Sequence, residues 1–189
     1  MLYDEITQLI ATHREDDWWD FKREPHHDKA ELVHDILCMA NNRPRRDSYI
    51  IFGVEDNTFS IKGVEDDERR RSQQSIVDIL RNISFAGGVR PRIEVQTITI
   101  DSHEIDVLII KDSFDTPFYL DKEYRDKSVK NEKGELYGKI VRPYHIYTRV
   151  VDNNTPIDKQ ADLNDIEYLW RKRFGIDLPA LERMMIYLK

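Results

Sequence analysis

One cysteine, Cys38, is all the sequence holds, and it sits in an apolar helical stretch, so a disulfide framework is excluded and a cysteine-built zinc site nearly so. No run of about 18 apolar residues occurs, so nothing in the sequence is suited to cross a membrane as a helix. The N-terminus, MLYDEITQLIATHRED, lacks the charged-then-apolar layout of a signal peptide and reads as an acidic amphipathic helix. These absences point to the cytoplasm. Gly87-Gly88 is not followed by the Lys-Ser/Thr of a phosphate-binding loop, and no nucleophile motif supports Ser-His-Asp catalysis. Repeats and low-complexity tracts are absent. Cations are the minority, with 29 Lys and Arg against 36 Asp and Glu and a net charge of −7. That balance counts against a simple phosphate-binding surface. It is compatible with a magnesium-dependent nucleic-acid enzyme, whose site needs carboxylates.

What is present suits one folded domain with a small extension. The chain has 189 residues, of which 40% are hydrophobic and 10% aromatic, enough to bury a sizeable core. Apolar spacing predicts a helix over Leu2 to His13 and a short strand over Trp18 to Lys22. On that strand Asp20 and Lys22 share one face, while Trp19 and Phe21 share the other. Asp28, with Glu31 three positions on, predicts the N-cap and capping box of a helix burying Leu32, Val33, Ile36, Leu37 and Ala40. A polar loop, Arg43 to Asp47, leads to an apolar strand over Tyr49 to Glu55, followed by a hairpin partner over Phe59 to Val64. Further along, the pattern predicts a helix over Asp67 to Ile83 and a hairpin of Arg92 to Ile100 with Glu104 to Lys111. Short strands are expected at Pro117 to Leu120 and Tyr144 to Val150, separated by an exposed polar flap, Asp121 to Tyr137. Two terminal helices close the chain, Ile157 to Phe174 and Pro179 to Leu188. The expected fold is α+β: a mixed, mainly antiparallel sheet flanked by helices over 1–158, with a helical extension over 159–189.

The strongest chemical constellation is Glu15, Asp20 and Lys22, with Asp56 arriving from the end of the central strand. Magnesium prefers hard oxygen ligands, and a lysine beside them can contact a phosphate or orient a nucleophile. Acids near strand ends are also common by chance in a chain this acidic. Three basic runs stand out: Arg43, Arg45 and Arg46 in a loop, Arg69 to Arg71, and Arg171 to Arg173. The loop run draws most interest because it lies in a connection and not on a helix. His26-His27 lacks further spaced ligands and reads as a solvated loop. Trp18 and Trp19 could stack on bases, but at least one of them must face the core.

The order of these pieces resembles the Schlafen-type, Alba-like (divergent AAA-associated) domain family, in a bacterial member. Glu15-Asp-Asp-Trp-Trp-Asp20-Phe21-Lys22 looks like the family's opening motif, an acid, four residues, then Glu-Phe-Lys. Ile36 to Asn42 looks like its helix end, and Tyr49 to Asp56 with Ile61-Lys-Gly63 like its glycine-valine-acid-acid strand and hairpin. Pro117-Phe-Tyr-Leu, Ile146-Tyr-Thr-Arg149 and Asn154-Thr-Pro156 resemble its late strands, so the similarity spans roughly residues 13 to 158. Two departures stand out: Arg43-Pro-Arg-Arg-Asp47 replaces a Gly-Gly pair, and Asp20 replaces the commoner glutamate.

The resemblance implies a metal-dependent endoribonuclease acting on RNA of the tRNA type, as in a bacterial toxin or phage-defence protein. Glu15, Asp20 and Asp56 would then hold Mg2+ or Mn2+ and Lys22 would contact phosphate. Arg43, Arg45, Arg46 and Arg149 would contact the nucleic acid. Many bacterial relatives are instead described as DNA-binding or ATP-binding regulators, so a non-catalytic RNA- or DNA-binding module is the second expectation. A protein-interaction domain is the third, with the C-terminal helices contacting a partner or a second copy.

Overall fold

The computed structural model describes residues 1–188, the side chain of Ile186 excepted. The chain runs through α1 (Leu2–Ala11), β1 (Trp19–Lys22), α2 (Lys29–Ala40), β2 (Ser48–Phe52), α3 (Gln73–Arg81), β3 (Ile93–Ile100) and β4 (His103–Ile110). Four two-residue strands follow, β5 (Tyr124–Arg125), β6 (Ile140–Val141), β7 (Arg149–Val150) and β8 (Asn153–Asn154), and then α4 (Leu163–Arg173) and α5 (Ala180–Tyr187). The central sheet has the order β1-β2-β4-β3; β1 lies parallel to β2, and the other pairs are antiparallel. This is the expected mixed, mainly antiparallel α+β architecture.

Alternation along the strands sorts the core into two faces. Trp19, Phe21, Tyr49, Ile51, Val107 and Ile109 turn toward Ile6 and Leu9 of α1. Ile50, Phe52, Leu108 and Ile110 turn toward α2 and α3. Each fully buried side chain of this size contributes about 1.5–3 kcal/mol of apolar transfer. Helix α2 is buried on nearly all sides, so its apolar residues form more than one stripe. Asp28 caps it by accepting from Ala30 N at 2.8 Å, while Glu31 takes no part in a capping box. The turn between β3 and β4 is two residues, Asp101 and Ser102, both at positive φ, as a tight hairpin matched to strand twist requires.

Several expected elements shrink, each for a local reason. Gly53, at φ 100°, ends β2 before Asp56, and Phe59 is itself left-handed. The expected strand Phe59 to Val64 is thereby reduced to a bridge between Val54 and Ile61. Helix α3 starts at Ser72, whose hydroxyl caps Ser75 N, and not at Asp67. The residues before it are held out of a helix by ion pairs, Arg69 to Asp67 and Arg70 to Asp106 and Glu104. Helix α4 begins later than its periodicity suggests, at Leu163, whereas α5 keeps its expected bounds, with Pro179 and Leu188 as its caps. Helix α4 docks through buried Leu169, the Lys172–Asp112 pair and the Arg43–Asp165 pair, whereas Leu181, Met184 and Met185 of α5 stay exposed.

The polar excursion is not a free flap. Tyr144 N donates to Leu120 O, β5 pairs with β6, Tyr137 N donates to Val129 O, and Asn131 N donates to Glu135 O. Together these rungs make a two-stranded ribbon from 120 to 144 with its tip near Gly134. Two carboxylates fasten it to the start of α2. Asp28, already the helix cap, accepts from Lys139 N at 2.6 Å, and Asp126 accepts from Lys29 N at 3.0 Å. Gly138 must be small here, because a Cβ would stand 2.8 Å from Asp28 Oδ2. Val141, fully buried, anchors the ribbon in the main core.

Candidate functional site

Strand alternation turns Asp20 and Lys22 away from Trp19 and Phe21, toward α2 and the β7–β8 hairpin. Lys22 Nζ lies 2.6 Å from Asp20 and 3.7 Å from Asp35 of α2. Arg149, 2% exposed, reaches Glu15 at 2.9 Å and Asp20 at 3.2 Å and donates to the carbonyls of Asp16 and Trp19. Its Nη1 also donates to Asn154, which in turn donates to Asp35 at 2.9 Å. Asp35 accepts further from His26 Nε2 at 2.8 Å, and His34 Nδ1 lies 3.5 Å away. His34 is fixed from its other nitrogen, which donates to Thr155 O. One continuous polar network thus joins Glu15, Asp20, Lys22, Asp35, His26, Asn154 and Arg149.

The electrostatics follow from burial and pairing. Burial and the neighbouring charge of Asp20 raise the Glu15 carboxyl, against the Phe21 N–H and Arg149, which lower it. Burial also works to raise Asp35, but hydrogen bonds from His26 and His34 and the charge of Lys22 hold it well below the usual carboxylate range. For Lys22, burial opposes the charged form and the carboxylates of Asp35 and Asp20 outweigh it, so the ammonium is raised above its ordinary value. Cys38 is pushed well up by burial, which makes it an inert core thiol.

A cleft of about 420 Å³ opens beside this network, lined by Lys22, His26, Glu31, His34, Asp35, Lys139 and Ile157. Its walls come from β1, α2 and the ribbon, so the carboxylate anchors at Asp28 and Asp126 position it.

The expected metal ligands are only partly assembled. Glu15 and Asp20 meet, but Asp56 lies in an exposed turn and accepts from Asn57, with no bond to either acid among the described residues. Both assembled acids are engaged by Arg149, and Asp20 also by Lys22. No group of three His, Cys, Asp or Glu among the described residues stands close enough to hold a metal ion. The donor set as it stands therefore does not fit a divalent cation, since a hard cation seeks several free oxygens. Asp20 Oδ2 is buried and faces Lys22 Nζ at 2.6 Å, while its Oδ1 faces Arg149 at 3.2 Å, so both oxygens already have a cation beside them.

The loop arginines are largely spent inside the molecule. Arg43 pairs with Asp165 at 2.6 Å, and Arg46 pairs with Glu5 at 2.5 Å. Arg46 also lies over the Trp18 ring at 3.3 Å, which covers that face of the tryptophan. Arg45 stays exposed without an ion pair among the described residues. Arg149 is buried and faces the acids.

Unpaired cations concentrate instead on the ribbon. Lys122, Arg125, Lys127, Lys130, Lys133, Lys139 and Arg142 form no ion pair among the described residues. Over 121–142 there are 7 cations against 5 acids, in a chain whose net charge is −7. Of those acids, Asp126 is buried and turned inward to Lys29 and Ser128. Asp35 and His34 are not among the residues the sequence singles out, yet two polar residues inside the apolar run Leu32 to Ala40 are a signal that such residues need buried partners.

A family model described as Schlafen, AlbA_2 matches residues 15–158. No curated protein and no solved structure matches the chain.

Proposed function

The chain belongs to the Schlafen, AlbA_2 family, and from that premise we propose that it binds nucleic acid along the β5–β6 ribbon, with the unpaired Lys139 lining the adjoining cleft. The observation that carries this reading is the set of unpaired cations on the ribbon, in a molecule whose other arginine runs are mostly ion-paired. Cations without carboxylate partners are the ones free to replace counterions along a phosphate backbone. Anisotropy of a labelled RNA or DNA oligonucleotide, titrated with the chain at 50 and 200 mM salt, tests it. Binding that weakens on the order of tenfold or more over that range is expected. Absence of binding at the lower salt would remove the reading.

Metal-dependent cleavage of RNA is the second reading, supported by Glu15 and Asp20 being brought to the same Arg149 guanidinium. It requires Arg149 to release these acids and Asp56 to approach them. Total tRNA incubated with Mg2+ or Mn2+ and then with EDTA, beside an Asp20→Asn variant, separates the two. Metal-dependent fragments lost in the variant establish a nuclease; intact tRNA leaves binding alone.

A further inference from the structure

Two large aromatic side chains on the ribbon are left in water: Tyr137 is 77% exposed and Tyr144 67% exposed. Neither ring packs against another aromatic ring among the described residues, whereas the ring pairs Trp18–Trp19 and Trp170–Phe174 do. Tyr144 also has a backbone φ of 61°, a conformation uncommon for a bulky residue. Its N–H, donated to Leu120 O at 2.7 Å, fixes that turn at the ribbon's base. Such strain is kept where the surroundings over-determine it, and the residue that carries it here is left in solvent. Between the two tyrosines lie Lys139 and Arg142, both exposed and unpaired among the described residues. At about 3.3 Å per extended residue, the seven-residue offset separates the tyrosines by at most about 23 Å.

We propose that the ribbon selects single-stranded nucleic acid, stacking unpaired bases on Tyr137 and Tyr144 while Lys139 and Arg142 meet the backbone between them. This rests on the ribbon being the nucleic-acid-binding surface. A duplex presents phosphates and base edges but keeps its base faces stacked inside, so an outward tyrosine finds nothing to cover. A single strand offers both a charged backbone and free base faces, and that is the combination the ribbon displays.

The test compares a labelled oligo(U) with a labelled RNA duplex of equal length by anisotropy. It uses the wild type, a Tyr137→Ala/Tyr144→Ala pair and a Tyr137→Phe/Tyr144→Phe pair, with circular dichroism confirming that each is folded. The wild type is expected to prefer the single strand. The alanine pair should lose roughly 5- to 150-fold per stacked base toward oligo(U), with its salt slope unchanged. The phenylalanine pair, which keeps the rings, should bind as the wild type does. An alanine pair that binds oligo(U) normally, or loses equally on both probes, overturns the proposal while leaving ribbon binding intact. A wild type that binds neither probe overturns the parent reading as well.

Discussion

Arg149 Nη2 stands 2.9 Å from Glu15 Oε2, a contact that ties the last hairpin of the domain to the segment before its first strand. Arg149 is among the largest fully buried side chains, and its guanidinium also faces Asp20. A buried cation of this kind is held by its carboxylates and in turn makes their burial tolerable. The arrangement leads to a first prediction. Arg149→Met leaves Glu15 and Asp20 with less compensation and should destabilise the fold by about 3–5 kcal/mol in urea unfolding. Adding Asp20→Asn to Arg149→Met should recover part of the loss, which a purely steric role for Arg149 would not allow.

Asp35 makes a prediction about acid. Its folded carboxyl lies well below the value of 3.8 taken for the unfolded chain. The stability it contributes is therefore fully present above about pH 4 and is lost as pH falls through the folded value. Asp35→Asn should lower stability at pH 7 by about 1–3 kcal/mol and make the decline below pH 4 shallower. Glu15 acts with the opposite sign. Its raised folded value means that its contribution is largest below 4.5 and shrinks as pH rises through the folded value. Urea midpoints from pH 2 to pH 7 for wild type, Asp35→Asn and Glu15→Gln check both signs; variant curves parallel to the wild type would contradict them.

Asp28 serves two masters, the N-terminus of α2 through Ala30 and the ribbon through Lys139. Asp28→Ala should cost about 0.5–2 kcal/mol for the cap, with a further loss for the ribbon bond. Hydrogen exchange should quicken at the Lys139 amide as well as at the start of α2. Faster exchange at the helix alone would mean that the ribbon is held by Val141 and Asp126 without Asp28.

Arg46 separates structural from binding cations. It is committed to Glu5 and to the Trp18 ring, so Arg46→Gln should cost about 1 kcal/mol of stability. Nucleic-acid affinity at matched salt should stay within about twofold of the wild type. A larger fall in affinity would return the Arg43–Arg46 loop to the binding surface.

Much of this was legible in the residues because simple periods carried it. Alternation in Trp19 to Lys22 separated the core face from the charged face, and the structure keeps that division. The apolar run of β2 and the paired runs of β3 and β4 likewise read directly as strands. Asp35 stayed hidden because its helix is buried all round, so no polar face marks the charged position. Asp56 looked close to the acids because it follows the central strand, but Gly53 ends that strand and the chain turns into solvent. The ribbon read as a bare excursion because strands of two residues have no measurable period; long-range anchors such as Lys29 N to Asp126 define it. Arg69 and Arg70 read as the start of a helix because propensity is local, whereas Asp106 and Glu104, which hold Arg70, arrive from β4.

The most direct test of the central claim is the salt slope of RNA binding for a Lys127→Gln/Lys130→Gln/Lys133→Gln variant. These three side chains lie on the ribbon and take part in no ion pair among the described residues. Each phosphate contact on a single strand contributes about 0.7 to the slope of log affinity against log salt. If the ribbon is the binding surface, the slope should fall by about 2 and affinity at low salt should drop, while the unfolding midpoint barely moves. A variant with the wild-type slope and affinity would contradict the account and place the nucleic acid elsewhere on the molecule.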